Sequence, residues 1–283
     1  MIPVPREKYK FEIEVDDGKR SAVKYEKKKV MNRLKEKRWS YNRFSTGLSS
    51  VDKAFGGGLP QGLTVFYGVG GSGKSMLAKA IAEGVSNRFP DDIENEDFPV
   101  LYVMTESGVD NPGYDLVHAA DYTAYIPNWE KAVNELFGLI IETGVKMVVI
   151  DSVTNFLSRT RKAVEEADIR GGLKLINQLS DGVLPILAIS QIRGSSVNYQ
   201  YPAGGRAVDH TGNLICKFAR VPIEASWDTK NYGEPVGAIA YTMQIEKDKQ
   251  GLARQNCIYK VTYNEDEPNL QDIRFIARGD DDK

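Results

Sequence analysis

A glycine-rich stretch at residues 68–75, GVGGSGKS, restricts the possible folds of this chain more than any other feature. It matches the pattern G-x-x-x-x-G-K-S/T in full. An apolar run, LTVFYG, leads into it, and a helical pattern leaves from Lys74. Glycines allow a tight turn whose backbone N–H groups converge on a phosphate, and the start of the helix adds its positive dipole. The stretch therefore predicts a strand, a phosphate-binding loop and a helix, in that order.

The residue types in this loop suit a nucleoside triphosphate. Lys74 can reach the β- and γ-phosphates, and the Ser75 hydroxyl can bind Mg²⁺. We therefore expect ATP and Mg²⁺ as cofactors. The residues predicted to bind the nucleotide are Gly68, Gly70, Gly71, Ser72, Gly73, Lys74, Ser75 and Met76.

Two carboxylates follow apolar runs elsewhere in the chain. Asp151 ends the run in KMVVIDS, and we expect it to bind Mg²⁺ because a buried strand-end carboxylate without a partner would be costly. Glu106 follows the run in VLYVMTESG, and ligands of an open parallel sheet meet the C-terminal ends of its strands. Since Ser152 rather than Glu follows Asp151, Glu106 is the candidate base for the attacking water. A loop acid that caps a turn is the alternative for Glu106.

Short apolar runs alternate with helical patterns from Thr46 onward. This alternation indicates an α/β fold with a mostly parallel central sheet and helices on both faces. The last three runs follow one another without a helical pattern, so they predict an antiparallel C-terminal extension. The apolar runs lie at 63–68, 99–105, 146–152, 183–190, 213–221, 237–246 and 257–263, and the helical patterns at 74–89, 128–144 and 165–182.

Composition excludes several classes of protein. No run of 18 apolar residues exists and the N-terminus lacks an apolar leader, so we expect no transmembrane helix, no signal peptide and a cytoplasmic location, in the host cell if the protein is viral. Cys216 and Cys257 are too few for a disulfide framework and lack metal-ligand spacing. Charge is uneven: between Gly18 and Thr46 there are eleven Lys and Arg residues against two acidic ones, although the net charge of the 283 residues is −2.

Further motifs resemble those of the RecA-type recombinases, a family that includes RecA, RadA and UvsX-type proteins. From residue 44 to residue 264 the order and spacing of the motifs agree with that family. They are FSTGLSSVDKAFGGGLPQG before the loop, YVMTESG, VVIDSV, ILAISQIR, PAGGRAV and QIEKDKQG. The resemblance implies a RecA-like P-loop core and a DNA-dependent ATPase that forms filaments on single-stranded DNA for strand exchange.

The resemblance also implies roles for individual residues. Glu106 would be the catalytic glutamate, and Gln191 would sense the γ-phosphate. Lys247 and Lys249 would reach across a filament interface to the γ-phosphate held by the neighbouring subunit. Tyr114 would stack on adenine, although it lies slightly farther from Glu106 than in the family; a core or loop tyrosine is the alternative.

Two cationic segments are expected to contact single-stranded DNA, one after Asp151 and one after Gln191. Cations for phosphates, glycines for close approach and aromatic rings for base stacking suit this ligand. For either segment alone, an ordinary surface loop is the alternative. The candidate DNA-binding residues are Arg159, Arg161, Lys162, Arg193, Gly204, Gly205 and Arg206.

The domain prediction has three parts. Residues 1–45 form a basic N-terminal oligomerisation arm, residues 46–275 the RecA-like ATPase core, and residues 276–283 an acidic flexible tail. The sequence leaves open whether the arm binds the neighbouring subunit or DNA, and whether the subunits form a filament or a ring. The alternative functions are a hexameric DNA helicase with the same fold and a KaiC-like regulatory ATPase that binds no DNA.

Overall fold

A computed structural model of the protein describes residues 43–94, 98–105, 118–121, 129–157, 166–193, 201–251, 253, 256–263 and 270–277. The strands are β1 (Arg43–Phe44), β2 (Leu59–Pro60), β3 (Gly62–Gly68), β4 (Val100–Met104), β5 (His118–Asp121), β6 (Met147–Asp151), β7 (Pro185–Arg193), β8 (Tyr201–Pro202), β9 (Leu214–Pro222), β10 (Ile239–Asp248), β11 (Asn256–Tyr263) and β12 (Leu270–Ala277). The α-helices are α1 (Ser49–Ala54), α2 (Lys74–Ser86), α3 (Pro90–Glu94), α4 (Trp129–Thr143), α5 (Val153–Leu157), α6 (Glu166–Ser180) and α7 (Ser226–Tyr232), and a 3₁₀ helix spans Gly205–His210.

One large sheet organises the described residues. Its strand order is β12-β11-β10-β9-β3-β7-β6-β4-β5, with β8 paired antiparallel to β7, and β1 and β2 form a separate antiparallel ribbon. The six strands from β9 to β5 in this order are mutually parallel. The remaining strands, β10 to β12, pair antiparallel. The predicted mostly parallel sheet with an antiparallel extension is therefore confirmed.

The extension begins one strand later than predicted. β9, which covers the 213–221 run, pairs parallel with β3, from Leu214 opposite Thr64 to Phe218 opposite Gly68. The assignment of this run to the antiparallel extension is therefore wrong. A parallel strand needs a crossover connection, and the chain provides one through β8 and the 3₁₀ helix, which has no helical apolar pattern. The expectation that no helix follows β9 is also wrong, since the short helix α7 separates β9 from β10.

Helices cover both faces of the sheet, as predicted. Helices α4, α5 and α6 pack on one face in a single apolar cluster, and α1 and α2 pack on the other. Because both faces are covered, the central strands are apolar throughout, and the four residues from Met147 to Ile150 have no exposed surface. No helix among the described residues is long and apolar enough to cross a bilayer.

The Ser-Thr-Gly segment before α1 fastens the chain to the helix that follows the phosphate-binding loop. Gly47 has a φ of +79°, and a Cβ atom there would lie 2.1 Å from the carbonyl oxygen of Gly84 in α2. The Asp52 carboxylate accepts hydrogen bonds from the Ser45 hydroxyl at 2.5 Å and from the Thr46 amide and hydroxyl at 2.7 Å. The motif therefore has a packing role that local sequence alone did not reveal.

The first and last described strands reach the predicted domain boundaries. β1 begins at Arg43, whose side chain bonds to Asp248 in β10, and β12 ends at Ala277. The domain boundaries themselves remain a prediction. Residues 1–42 and 278–283, which contain nearly all of the predicted arm and tail, lie outside the described residues.

Candidate nucleotide-binding site

The glycine-rich loop joins β3 to α2 at the C-terminal edge of the parallel strands. Gly71 and Gly73 have φ angles of +67° and +85°, in the left-handed region that favours glycine. A Cβ atom on Gly68 would lie 2.2 Å from the carbonyl oxygen of Phe218 in β9, so a larger residue has no room there. Gly70, by contrast, is exposed and has open space around it. Three of the predicted glycines are thus required by the backbone.

Lys74 lies over its own loop. Its side chain is 8% exposed, and its ammonium donates to the carbonyl oxygens of Gly68 at 3.0 Å and Val69 at 2.8 Å and to the Ser72 hydroxyl at 3.3 Å. Ser75, one residue further into α2, is exposed, and Met76 is half-buried. A cation and a hydroxyl therefore stand together at the positive end of this helix.

Two other predicted site residues, Gln191 and Asp151, lie along the same edge. Gln191 in β7 stands directly opposite Gly68, and its side chain is exposed. Asp151 ends β6, the strand on the far side of β7, and is half-buried. Adjacent strands are about 4.8 Å apart, so β3, which leads into the P-loop, and β6, which ends at Asp151, lie about 10 Å apart with Gln191 on the strand between them.

Thr105 holds the peptide that follows Asp151. Its amide donates to the Asp151 carbonyl at 2.9 Å, and its hydroxyl accepts the Ser152 amide at 2.8 Å. The Asp151 carboxylate accepts a hydrogen bond from the Tyr102 hydroxyl at 3.1 Å. Glu106 is the next residue after Thr105, but Glu106 and Tyr114 both lie outside the described residues, so their roles remain predictions.

The backbone of Gln191 is bonded to residues next to or within the two predicted DNA-binding segments. Its amide donates to the Thr154 hydroxyl in α5 at 3.2 Å, and its carbonyl accepts from the Ala203 amide at 2.9 Å. α5 ends just before the first cationic segment, and Ala203 lies within the second one, directly before Gly204. The residue opposite Gly68 is therefore bonded to the helix before the first segment and to a residue of the second.

The predicted DNA-binding residues are described only in part. Arg159, Arg161 and Lys162 lie outside the described residues, as do the side chains of Arg193 and Arg206. Gly204 is buried with a φ of +101°, and a Cβ atom there would lie 3.0 Å from Val208, which gives this glycine a packing reason. Gly205, with a φ of +73°, is half-buried. Their contact with DNA remains a prediction.

The two lysines of QIEKDKQG lie toward the N-terminal ends of the parallel strands, whereas the P-loop lies at their C-terminal ends. Because β10 runs antiparallel to β9, Lys247 stands opposite Ile215, and the Lys249 amide donates to the Asn213 carbonyl at 2.9 Å. Phe218, opposite Gly68, marks the P-loop edge. At about 3.3 Å per residue, these positions are about 10 and 17 Å from that edge along the strand. The lysine pair is therefore remote from the P-loop of its own chain.

Arg220 is a cation beside the loop that sequence analysis missed. It is exposed, it lies two residues beyond Phe218 in β9, and its Nη1 would be 3.3 Å from a Cβ atom on Gly71. The signal was present in the apolar run at 213–221. Its assignment to an antiparallel extension concealed that this strand runs beside β3 and continues past the loop.

These groups fit a magnesium nucleotide. The loop amides and Lys74 suit a triphosphate, and the Ser75 hydroxyl with the Asp151 carboxylate is the small oxygen donor set that Mg²⁺ takes when a substrate phosphate and water complete its shell. Since the donors are oxygens and the cradle is a helix N-terminus, the predicted ATP and Mg²⁺ are compatible with the site.

Comparison with known proteins decides the family. A family model described as an AAA domain matches residues 31–181, more than half of the chain. The chain belongs to the AAA domain family. Within it, the chain is a RecA-like P-loop ATPase, as the sequence predicted, and its P-loop lies inside the matched region.

Its relatives are distant. The RecA protein of Crocosphaera subtropica is 25% identical over 264 residues, which cover 81% of this chain and 71% of that protein. The RecA protein of Rippkaea orientalis is 24% identical over 271 residues, with coverage of 83% and 73%. A solved structure of a KaiC-like protein from the archaeon Pyrococcus horikoshii aligns with a TM-score of 0.56 at 15% identity and covers 83% of this chain and 98% of that one. At this level of identity, the structural likeness supports the assignment of the fold and nothing more specific.

Proposed function

We propose that this chain is a DNA-dependent ATPase that forms filaments on single-stranded DNA and promotes strand exchange in homologous recombination. The observation that carries the proposal is the position of Gln191. Its side chain is exposed beside the P-loop, and its backbone is bonded to Thr154, in the helix before the first segment expected to contact DNA, and to Ala203, within the second. A group that senses the γ-phosphate there is coupled directly to both segments.

The proposed hydrolytic site uses groups along the C-terminal edge. The loop amides and Lys74 would bind the β- and γ-phosphates, and Arg220 would add a second cation beside the loop. Ser75 and Asp151 would hold Mg²⁺, which neutralises charge on the phosphate oxygens when bound. Glu106, next to the anchored Thr105, would orient and deprotonate the attacking water.

The second part of the proposal is that the nucleotide lies at a seam between subunits. Lys247 and Lys249 lie beside the start of β9, away from the strand ends that carry the P-loop, so they cannot serve the P-loop of the same chain. A cation supplied in trans to the transferring phosphoryl group accelerates hydrolysis by about 10³–10⁵ in well-studied enzymes. Such lysines would make hydrolysis depend on assembly.

The proposal that the chain binds DNA rests on the two cationic segments and on the similarity to RecA proteins. Both curated relatives described above carry the name RecA and cover most of this chain. If the loops grip phosphates, DNA affinity should fall steeply with salt concentration. A hexameric helicase and a KaiC-like ATPase without DNA share the P-loop edge, and the experiment below separates them.

The test measures ATP turnover with and without single-stranded DNA and images the assemblies formed with an ATP analogue. We expect strong stimulation by DNA and open helical filaments. Closed rings with stimulation would indicate a helicase, and turnover indifferent to DNA would indicate a KaiC-like ATPase. Lys249→Ala should leave nucleotide binding by the dilute protomer unchanged and reduce assembly-dependent turnover to a low but measurable residual rate, whereas Lys53→Ala, an exposed lysine in α1, should change neither.

A further inference from the structure

The acidic residue between the two lysines faces the protein interior. The Asp248 side chain is 5% exposed, and both of its carboxylate oxygens lie 2.6 Å from Nη2 of Arg43, which is also 5% exposed. Asp248 stands opposite Leu214, whose side chain belongs to the face covered by α1 and α2. Lys247 stands opposite Ile215, which belongs to the other face. The acid and Lys247 therefore point to opposite sides of the sheet.

The same carboxylate holds the turn that contains Lys249. It accepts the Gln250 amide at 3.1 Å and the Ala253 amide at 2.8 Å. The Gly251 amide donates to the Asp248 carbonyl at 3.1 Å, and the Lys249 amide donates to Asn213 at 2.9 Å. One buried carboxylate thus fixes the backbone on the C-terminal side of Lys249.

The ion pair is the stable form of this carboxylate at neutral pH. Burial alone would raise the pKa of Asp248, but the hydrogen bonds from Arg43 and from the Ala253 and Gln250 amides, with the Arg43 charge, hold that pKa below its ordinary value. Removal of either partner would leave the other charge buried without compensation.

The N-terminal side of the lysine pair is anchored as well. The strand register shifts between Ile245 and Lys247, and the bulged Glu246 accepts a hydrogen bond from the hydroxyl of buried Tyr67 in β3. Bulges redirect the side chains that follow them. The segment that carries both lysines is therefore fixed at Glu246 on one side and at Asp248 on the other.

We propose that Arg43 and Asp248 are positioning residues that hold Lys249 in place for the nucleotide of a neighbouring subunit. This inference rests on the proposed function, because it needs Lys249 to act in trans. A lysine side chain is long and flexible, so only its backbone can be fixed in advance, and reacting groups must be held closely. Arg43 lies near the C-terminal end of the predicted N-terminal arm, residues 1–45, so the ion pair also links that end of the arm to the lysine segment.

The test uses the full chain with Asp248→Asn, which retains an amide acceptor but removes the charge. A misplacement of about 1 Å can cost about 10²-fold in rate. We therefore expect kcat of assembly-dependent hydrolysis to fall by a factor approaching that of Lys249→Ala, with KM and nucleotide binding by the dilute protomer unchanged. Asp248→Asn added to Lys249→Ala should cause no further loss, a result that a merely structural role would not give.

Arg43→Lys is the conservative variant: it keeps the charge but removes the planar guanidinium, whose Nη2 bonds both Asp248 oxygens and whose Nη1 donates to the Gly58 carbonyl at 3.4 Å. It should retain most of the thermal stability and show a smaller loss of kcat, which also provides a test if Asp248→Asn fails to fold. Full turnover in both variants, or a further loss from Asp248→Asn in the Lys249→Ala background, would overturn the inference. If Lys249→Ala alone leaves turnover intact, the trans role in the proposed function fails, and the inference fails with it.

Discussion

The contact between Gly47 and Gly84 gives a prediction whose size follows from the structure. In Gly47→Ala, the new Cβ atom would lie 2.1 Å from the Gly84 carbonyl oxygen and 2.7 Å from its carbonyl carbon. Both atoms belong to the backbone of α2, so no side chain can rotate away. Relief of the clash requires the Ser-Thr-Gly segment to separate from the helix that begins at the P-loop lysine.

Two costs add in this variant. The φ of +79° places an alanine in the left-handed region, which costs about 1–2 kcal/mol. Overpacking against backbone adds about 1–3 kcal/mol. Gly182→Ala is the matched control, because Gly182 has a φ of +68° and nothing within 4 Å of its would-be Cβ atom, so it bears the first cost alone.

A third variant separates packing from backbone conformation. Gly84 lies within α2, where alanine normally stabilises a helix by about 0.5–1 kcal/mol relative to glycine. Its Cβ atom, however, would lie 2.5 Å from the Thr46 carbonyl oxygen, so Gly84→Ala should destabilise the protein instead. Chemical denaturation of the three variants and the wild type gives the free energies of unfolding. Equal losses for Gly47→Ala and Gly182→Ala, or a gain for Gly84→Ala, would refute the packing argument.

Three further predictions concern the P-loop and its surroundings. Lys74→Ala should abolish ATP binding in an equilibrium titration, and retained tight binding would remove the phosphate-site assignment. Arg220→Ala should weaken ATP binding by the dilute protomer while Arg220→Lys restores part of it; unchanged affinity would mean that the guanidinium does not contact the nucleotide. Burial raises the pKa of Glu83 in α2, so its ionised form costs stability at neutral pH. Glu83→Gln should therefore raise the melting temperature at pH 7, and the gain should vanish below about pH 4, where the wild-type carboxyl is protonated.

The parts of the fold that local sequence determines were predictable. The run at 63–68 and the helical pattern at 74–89 correspond to β3 and α2, because a glycine loop between a strand and a helix leaves few other folds. Central strands such as β6 were recognisable because strands buried on both faces are apolar throughout. The motifs ILAISQIR and VVIDSV predict that Gln191 and Asp151 come at the C-terminal ends of their apolar runs. The strand register places both residues at the same edge of the sheet as the P-loop.

The direction of β9 was not predictable in this way. Whether a strand pairs parallel or antiparallel depends on the path of its connection, and here the connection runs through the 3₁₀ helix at Gly205–His210. A short 3₁₀ segment has no apolar periodicity, so the crossover resembled a loop. That error also concealed Arg220, because a strand at the far side of the sheet would not have passed the P-loop.

The lysine pair illustrates both the reach and the limit of a local pattern. Residues that alternate along a strand point to opposite faces, so Lys-Asp-Lys already implies that the acid turns away from Lys247. An aspartate whose side chain points into the interior needs a cation there, since burial of an unpaired carboxylate costs too much free energy. The pattern therefore demands a partner for Asp248, but it cannot name one, because Arg43 is 205 positions away in the sequence. Only the fold brings β1 to the end of β10. If Lys249 acts in trans, this distant arginine matters to it, because it binds the acid between the two lysines and thereby fixes the turn that carries Lys249.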